Sequence, residues 1–424
     1  MKKMNKHIIY LASIAILATS CGLAEGGSTG KGSKIFPFEI PEERPKFKLS
    51  ASMETLYERY GVPLPQQNEL YSQFRFSAIT GFDYDDASGK ISRRDPSRII
   101  RVGDIYYIWY TLRQTQSAPL GADACNDTIP STDWDLSDIG YAISKDGFNW
   151  EEKGVALSRP PRPLQGHRSI STPEILVWKD KYYLYFQAFS DASGTAGGDN
   201  CPVAMAEASS PDGPWQYYDD IVIPTGNSGD WDQYSIHDPL PVVFKGKIYM
   251  YYKSDYNADM GLVRSQGLAV GDNPFGPFAK SKLNPVLSSG HETQYFRFRE
   301  GIAAIATRDG HEHYTIQYSE DGVNFNQASI GDLMPEASGL YDPDAFTNVE
   351  HANGITWGIC HVNNYRKGGT YSNIFRFDCD LSLTLDDPEM KNNHVYPTYE
   401  EYLRRGLSPK QRARIKGDLR QEKR

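Results

Sequence analysis

Four carboxylates occupy one position of a repeated sequence pattern: Asp95, Asp238, Glu292 and Asp342, with Thr172 holding the same place in a fifth copy. Histidines stand immediately before two of them, as His237 and His291. Carboxylates brought together in a cleft repel one another, which is poor for stability and useful for catalysis. Hydrolysis of a glycoside with inversion needs one carboxylate to activate water and a separate acid to protonate the leaving oxygen. The two stand roughly 6.5–9.5 Å apart, leaving room for the water. Histidine adds a group that titrates near neutrality. Trp134, between Asp133 and Asp135, offers a ring for stacking on a sugar, and Gln187 offers an amide for hydroxyls. If the carboxylates cluster, Asp95→Asn should abolish activity and leave the melting temperature unchanged or higher.

The elements that position these residues follow from the pattern around them. Asp238 opens the stretch from Ile236 to Tyr252, in which a β-branched run, a Lys-Gly turn and a tyrosine-rich run succeed one another. That order describes a strand, a tight hairpin and a partner strand. A second signature follows most copies: Ser144 to Trp150, Ser210 to Trp215 and Ser319 to Phe325 each hold an Asp-Gly turn closed by an aromatic, with Asp272 to Phe278 a looser version. Two hairpins per repeat make a four-stranded sheet, and repeats of that size are propeller blades. The fold class expected is all-β, a five-bladed β-propeller over residues 79–390 that gathers the aligned positions at one mouth of its channel. A β-sandwich would not explain the recurrence of one motif.

Two further segments differ from the repeats. Residues 36–78 read as a short helical arm, with helices over Ser50–Tyr60 and Pro65–Phe74 that need a surface to pack on. Residues 391–424 read as a basic helical tail, with Ser408 and Pro409 suited to a helix start.

The 424 residues suit one large β domain with appendages. The 28 tyrosines exceed phenylalanine and tryptophan together, and tyrosine buries a ring while keeping a hydroxyl for polar contacts. A net charge of −9 without a basic stripe in the body of the chain excludes nucleic acid as the expected partner. The N-terminus has a basic start, an apolar run from Ile8 to Leu17, and small residues before Cys21. This describes a lipoprotein signal over 1–20, a lipid anchor at Cys21 and a flexible tether over 21–35, with export to the periplasm-facing membrane or cell surface of a Gram-negative bacterium. An ordinary secretory peptide is the alternative. Cys125, Cys201, Cys360 and Cys379 lack metal-ligand spacing; Cys360 and Cys379 either pair or stay as buried thiols.

Several motifs together resemble glycoside hydrolase family 117: Arg93-Arg-Asp-Pro96, Thr132 to Leu136, Ser144 to Gly147, Thr172 to Leu176, Ile236 to Pro239 and Gly290 to Thr293. The resemblance implies exo-action with inversion on red-algal galactan oligosaccharides, releasing 3,6-anhydro-L-galactose from an α-1,3 bond as in neoagarobiose. It implies Asp95 as general base, Asp238 as substrate binder that holds the acid's electrostatics, His291 as general acid and Glu292 as its neighbour. Trp134, Thr172, Gln187 and His237 match substrate-contact positions. A cationic imidazole among carboxylates is electrostatically favoured. The resemblance also implies a homodimer through an exchanged N-terminal arm. No cofactor is required; an acidic mouth could hold a divalent cation, although no ligand spacing specifies one. The chain departs from the pattern at Gln294–Phe298, at Trp231–His237 and at Gly140, and Arg297 offers either a cation for sulfate or an exposed strand arginine. Two other functions compete. One is an arabinofuranosidase or xylosidase of related fold, with Glu292 as acid. The other is a non-catalytic surface lipoprotein that binds glycan.

Overall fold

The computed structural model describes residues 46, 48–55, 68–84, 87–195, 200–228, 230–254, 264–310, 312–331, 333–366 and 369–392; the side chains at 289, 290, 292, 309, 310, 364–366, 369 and 370 lie outside that description. The stretches expected as signal and tether, Cys21, and the tail from 393 onward likewise fall outside the described residues.

A short helix, α1 (Ala51–Thr55), and a strand, β1 (Arg75–Ser77), precede the repeats. The first antiparallel group is β2 (Ile91–Arg94), β3 (Ile100–Val102), β4 (Ile105–Gln114), β5 (Ser137–Ser144) and β6 (Trp150–Leu157). The second is β7 (Ser169–Trp178), β8 (Lys181–Phe189), β9 (Val203–Ala208) and β10 (Gln216–Tyr217). The third is β11 (His237–Phe244), β12 (Lys247–Ser254), β13 (Ser265–Gly271) and β14 (Ala279–Lys280). The fourth is β15 (Ser289–Arg299), β16 (Gly301–Gly310), β17 (Thr315–Ser319) and β18 (Asn326–Ile330). The fifth is β19 (Gly339–Leu340), β20 (Ala352–Arg366) and β21 (Gly369–Ser382), with β1 paired to β21. The fourth and fifth groups join through Phe298↔Asn353 and Arg299↔Ala352.

Hydrophobic side chains explain why the groups form a closed, propeller-like ring. Trp109, Ile139, Ile170 and Phe186 fill the seam between the first and second groups. Leu176, Tyr185, Val243 and Tyr252 fill the next, and Leu240, Tyr251, Tyr295 and Phe325 the one after. Tyr251 and Tyr295 stack nearly parallel across this seam, with ring centroids 3.7 Å apart. Phe296, Ile305, Phe377 and Leu381 join the fourth group to the fifth. Ile108, Tyr110, Trp357 and Ile374 close the fifth on the first. The hairpins have the expected turn chemistry. Asp146 and Asp321 each accept two backbone N–H groups beyond the turn, and Lys245 and Gly246 both sit at positive φ between β11 and β12.

Two local expectations change. The helix predicted over Pro65–Phe74 is absent from its described part, Asn68 to Phe74. There the backbone and side chains are committed to neighbouring sheets: Ser329 Oγ donates to the Leu70 carbonyl, the Asp380 N–H to Ser72 Oγ, and Leu70 and Phe74 enter the fourth-to-fifth seam. β1 then extends the last group, so the stretch read as an arm also contributes to the ring. Of the helix predicted over Ser50–Tyr60, α1 is the described part. It is tied down by Thr55 Oγ1 donating to Glu312 and by the Ser288 N–H donating to Ser52 Oγ.

Candidate active site

Three of the five aligned positions share a backbone distortion. Asp95 lies between β2 and β3, Thr172 in a register shift of β7 between Ser171 and Glu174, and Asp238 in a register shift of β11 between His237 and Leu240. Their φ angles are +48°, +48° and +51°, and each precedes a proline. A left-handed residue other than glycine costs on the order of 1–3 kcal/mol, and such strain gathers where a side chain must be aimed. The bulge therefore re-aims the same position in three consecutive groups.

Asp95 is buried and heavily contacted. Arg94 Nε donates to its Oδ2 at 2.7 Å, His361 Nδ1 lies 3.2 Å from its Oδ1, and the hydroxyls of Thr111 and Thr172 reach Oδ2 at 3.3 and 3.4 Å. Burial works to raise its pKa, but the Arg94 guanidinium beside it outweighs burial and holds it well below the usual carboxylate range. Asp95 is therefore an anion. Asp238 is held from two sides, by Lys253 Nζ at 3.1 Å from Oδ2 and by Gln187 Nε2 donating to Oδ1 at 2.6 Å. The other end of the Gln187 amide lies 3.1 Å from His237 Nδ1, and His237 packs on Phe189. Gln187, His237 and Asp238 thus form one polar chain across the second and third groups.

Trp134 is presented by the carboxylates on either side of it. Asp133 is bound by Arg94 and Arg113 and accepts from the Ser372 hydroxyl at 2.6 Å. Asp135 accepts both arms of Arg168, at 2.7 and 2.6 Å. With both neighbours anchored, the half-buried indole sits over the Arg94 guanidinium, 4.9 Å away.

The fourth and fifth groups depart from the expected symmetry. β15 runs in regular register through His291↔Arg308 and Thr293↔Ala306, without the bulge of the first three groups. Arg264 Nη1 lies 2.7 Å from His291 Nδ1, so a guanidinium N–H donates to that nitrogen and occupies its lone pair. A guanidinium at this ring is a cationic neighbour that the sequence did not announce, and the adjacent Glu292 side chain lies outside the described residues. Asp342 does not join the mouth. It is buried against Arg98 at 3.3 Å and accepts the N–H groups of Arg297 and Asp344. Arg98 also donates to the Tyr295 carbonyl, so Asp342 lies level with positions three residues beyond Asp95 and Glu292. His361 of β20 takes the fifth group's place beside Asp95. Among the described residues, no group of three or more His, Cys, Asp or Glu is placed to hold a metal ion.

Sequence reasoning missed His361, Lys253 and Arg264. Each stands in or beside an apolar or tyrosine-rich strand, where a lone polar residue carries no motif. It also misread Arg297, which is buried and donates to the carbonyls of Val243, Thr347 and Val349. Gly140 is a packing position, because a Cβ there would meet the Tyr110 ring at 2.7 Å. The described cysteines, Cys360 and Cys379 included, are free thiols.

Comparison with known proteins decides the family. The chain is 52% identical to Zg3597, a family 117 glycoside hydrolase produced by the marine bacterium Zobellia galactanivorans, with a TM-score of 0.74 over 80% of this chain and 100% of that one. The chain belongs to glycoside hydrolase family 117. The family model for glycosyl hydrolases family 43 also matches this family 117 chain, over residues 89–263. That span takes in Asp95, Thr172, Gln187 and Asp238 and ends before His291 and Glu292. Two more distant structures share the fold. A glycoside hydrolase is 11% identical with a TM-score of 0.51 over 74% of this chain and 92% of that one. BT0996, in an RGII complex, is 12% identical with a TM-score of 0.51 over 73% of this chain and 92% of its own. No curated protein matches the chain.

Proposed function

We propose that this family 117 glycoside hydrolase is an inverting, exo-acting enzyme that removes terminal α-1,3-linked 3,6-anhydro-L-galactose, or a related L-galactose unit, from red-algal galactan oligosaccharides. The observation that carries this reading is Asp95, a buried anion held on a strained bulge by Arg94, His361 and the Thr172 hydroxyl. A carboxylate fixed in its charged form can take a proton from water as the water attacks the anomeric carbon. As that bond forms, the bond to the leaving oxygen breaks on the opposite face and an acid protonates the oxygen. Asp238, held by Lys253 and Gln187, keeps a negative charge beside the developing oxocarbenium ion. Trp134 supplies a stacking face, and Thr172, Gln187 and His237 supply hydroxyl contacts. We read the five strand groups as the blades of a five-bladed propeller.

The acid is the point at which a second reading is favoured. With Arg264 donating to Nδ1, His291 delivers a proton only after that contact opens and the ring takes up a proton. Glu292 as acid, in an arabinofuranosidase or xylosidase of related fold, avoids that requirement. His291→Ala and Glu292→Gln, assayed on neoagarobiose and on an aryl arabinofuranoside, separate the two. Full activity of the His291 variant on neoagarobiose removes His291 from the acid role.

The same proposal covers organisation. The protein is exported, anchored by lipid at Cys21, and a homodimer through its N-terminal helical arm. Mass spectrometry of the N-terminal peptide from membranes and sedimentation of the soluble chain test these points.

A further inference from the structure

His361 lies in β20, buried, with two of its contacts on Asp95. The Asp95 N–H points to Nδ1 at 3.1 Å, and the same nitrogen is 3.2 Å from Asp95 Oδ1. One nitrogen cannot serve both at once. A bare Nδ1 accepts the amide, whereas a protonated Nδ1 donates to the carboxylate and takes up a lone pair that a base needs. Accepting the amide places the ring proton on Nε2, which is buried without a protein hydrogen-bond partner. A buried donor left unpartnered is destabilising. The fold therefore retains both an unpartnered nitrogen and a left-handed aspartate at the same contact.

We propose that His361 is the positioning residue for Asp95: its neutral ring accepts the Asp95 amide and fixes the left-handed turn that presents the carboxylate at the mouth. The proposal rests on Asp95 as the base. The other groups around the carboxylate are Arg94 on β2, the hydroxyls of Thr111 on β4 and Thr172 on β7, and Asp133 and Arg113 beyond Arg94. Each touches the side chain or a group behind it. The amide is bound by His361. Removing His361 should therefore free the turn while leaving the charge on Asp95 with a cation beside it.

The test uses two variants of the full chain. His361→Leu keeps volume and removes the acceptor, and His361→Asn returns an oxygen near the position of Nδ1. With neoagarobiose as substrate, His361→Leu should lose on the order of 100-fold in kcat with KM within about twofold, and His361→Asn should recover most of the loss. Equal losses in both variants that track their melting temperatures would mean that His361 only packs, and would overturn the proposal. If the wild type cleaves no oligosaccharide, the function reading falls, and the positioning claim is read from melting temperatures alone. His361→Leu, Asp95→Asn and the double variant should then be clearly non-additive, and additive shifts would sink it.

Discussion

Gln187 on β8 donates to Asp238 on β11 at 2.6 Å, so the amide of the second strand group fixes the carboxylate of the third. Lys253, paired with His237 across β11 and β12, holds the other carboxylate oxygen at 3.1 Å. Two groups from different sheets thus set the position and charge of one side chain before any substrate binds.

Lys253→Met should expose that dependence. Asp238 would lose its cation while its amide partner stays. A loss of at least about tenfold in kcat/KM is expected, with a lower melting temperature, because one member of a largely buried pair is left behind. Steady-state kinetics and a thermal melt check it; wild-type kinetics would mean that Lys253 is only a packing residue.

Asp95→Asn should abolish hydrolysis and also lower the melting temperature at neutral pH, the reverse of what clustered carboxylates alone would give. The sign follows from the contacts. A carboxyl whose pKa is depressed in the fold contributes stability above its ordinary range and loses it as pH falls. The amide forfeits that contribution and leaves Arg94 without its nearest anion. A melting temperature at pH 7 equal to or above the wild type would contradict the compensation seen here.

Arg98 links two buried carboxyls that behave in the opposite sense. Its N–H donates to Glu174 and its guanidinium to Asp342. Burial raises Glu174 to about 7 and Asp342 to about 6, against the pull of Arg98. Groups raised in the fold contribute stability at low pH and lose it as pH climbs through the folded value. The melting temperature should therefore fall between about pH 4 and 6 for Asp342 and between about pH 4.5 and 7 for Glu174, by the equivalent of on the order of 3 kcal/mol per carboxyl. Glu174→Gln keeps an acceptor for the Arg98 and Ile175 N–H groups and should flatten the profile. An unchanged slope in Glu174→Gln would show that Glu174 does not titrate in this range.

Arg297→Met tests the structural role of a residue that sequence offered as an anion site. The substitution strands the buried Val243 carbonyl and frees the part-buried carbonyls of Thr347 and Val349. A loss of roughly 3 kcal/mol in a denaturant titration is expected, with no change in the ratio of rates on sulfated and unsulfated oligosaccharides. A shift in that ratio without a loss of stability would return Arg297 to substrate recognition.

Much of the architecture was legible because it is written in period and turn chemistry. Val242 to Tyr252 form two apolar runs on either side of a Lys-Gly turn, Asp146 and Asp321 announce their hairpins, and the repetition of that pattern predicts a ring. Asp95, Thr172 and Asp238 were found because a proline follows each; the left-handed backbone that aims them carries no sequence mark. Asp342 shares their Asp-Pro signature and lies deeper, since the fifth group reaches Asp95 through His361 instead. His361, Lys253 and Arg264 were missed for one reason: each becomes meaningful only when the fold brings its partner from another strand, for His361 and Arg264 a strand of another group. The segment from Asn68 to Phe74 has acceptable helical spacing, and sheet edges claimed its hydrogen bonds first.

The central claim is tested most directly by following neoagarobiose with the wild-type chain and with Asp95→Asn by proton NMR. The account predicts that the wild type releases 3,6-anhydro-L-galactose with its anomeric configuration inverted at first appearance, and that Asp95→Asn releases none. Release with retained configuration, release by the Asp95→Asn chain, or cleavage of an aryl arabinofuranoside in place of neoagarobiose would contradict it.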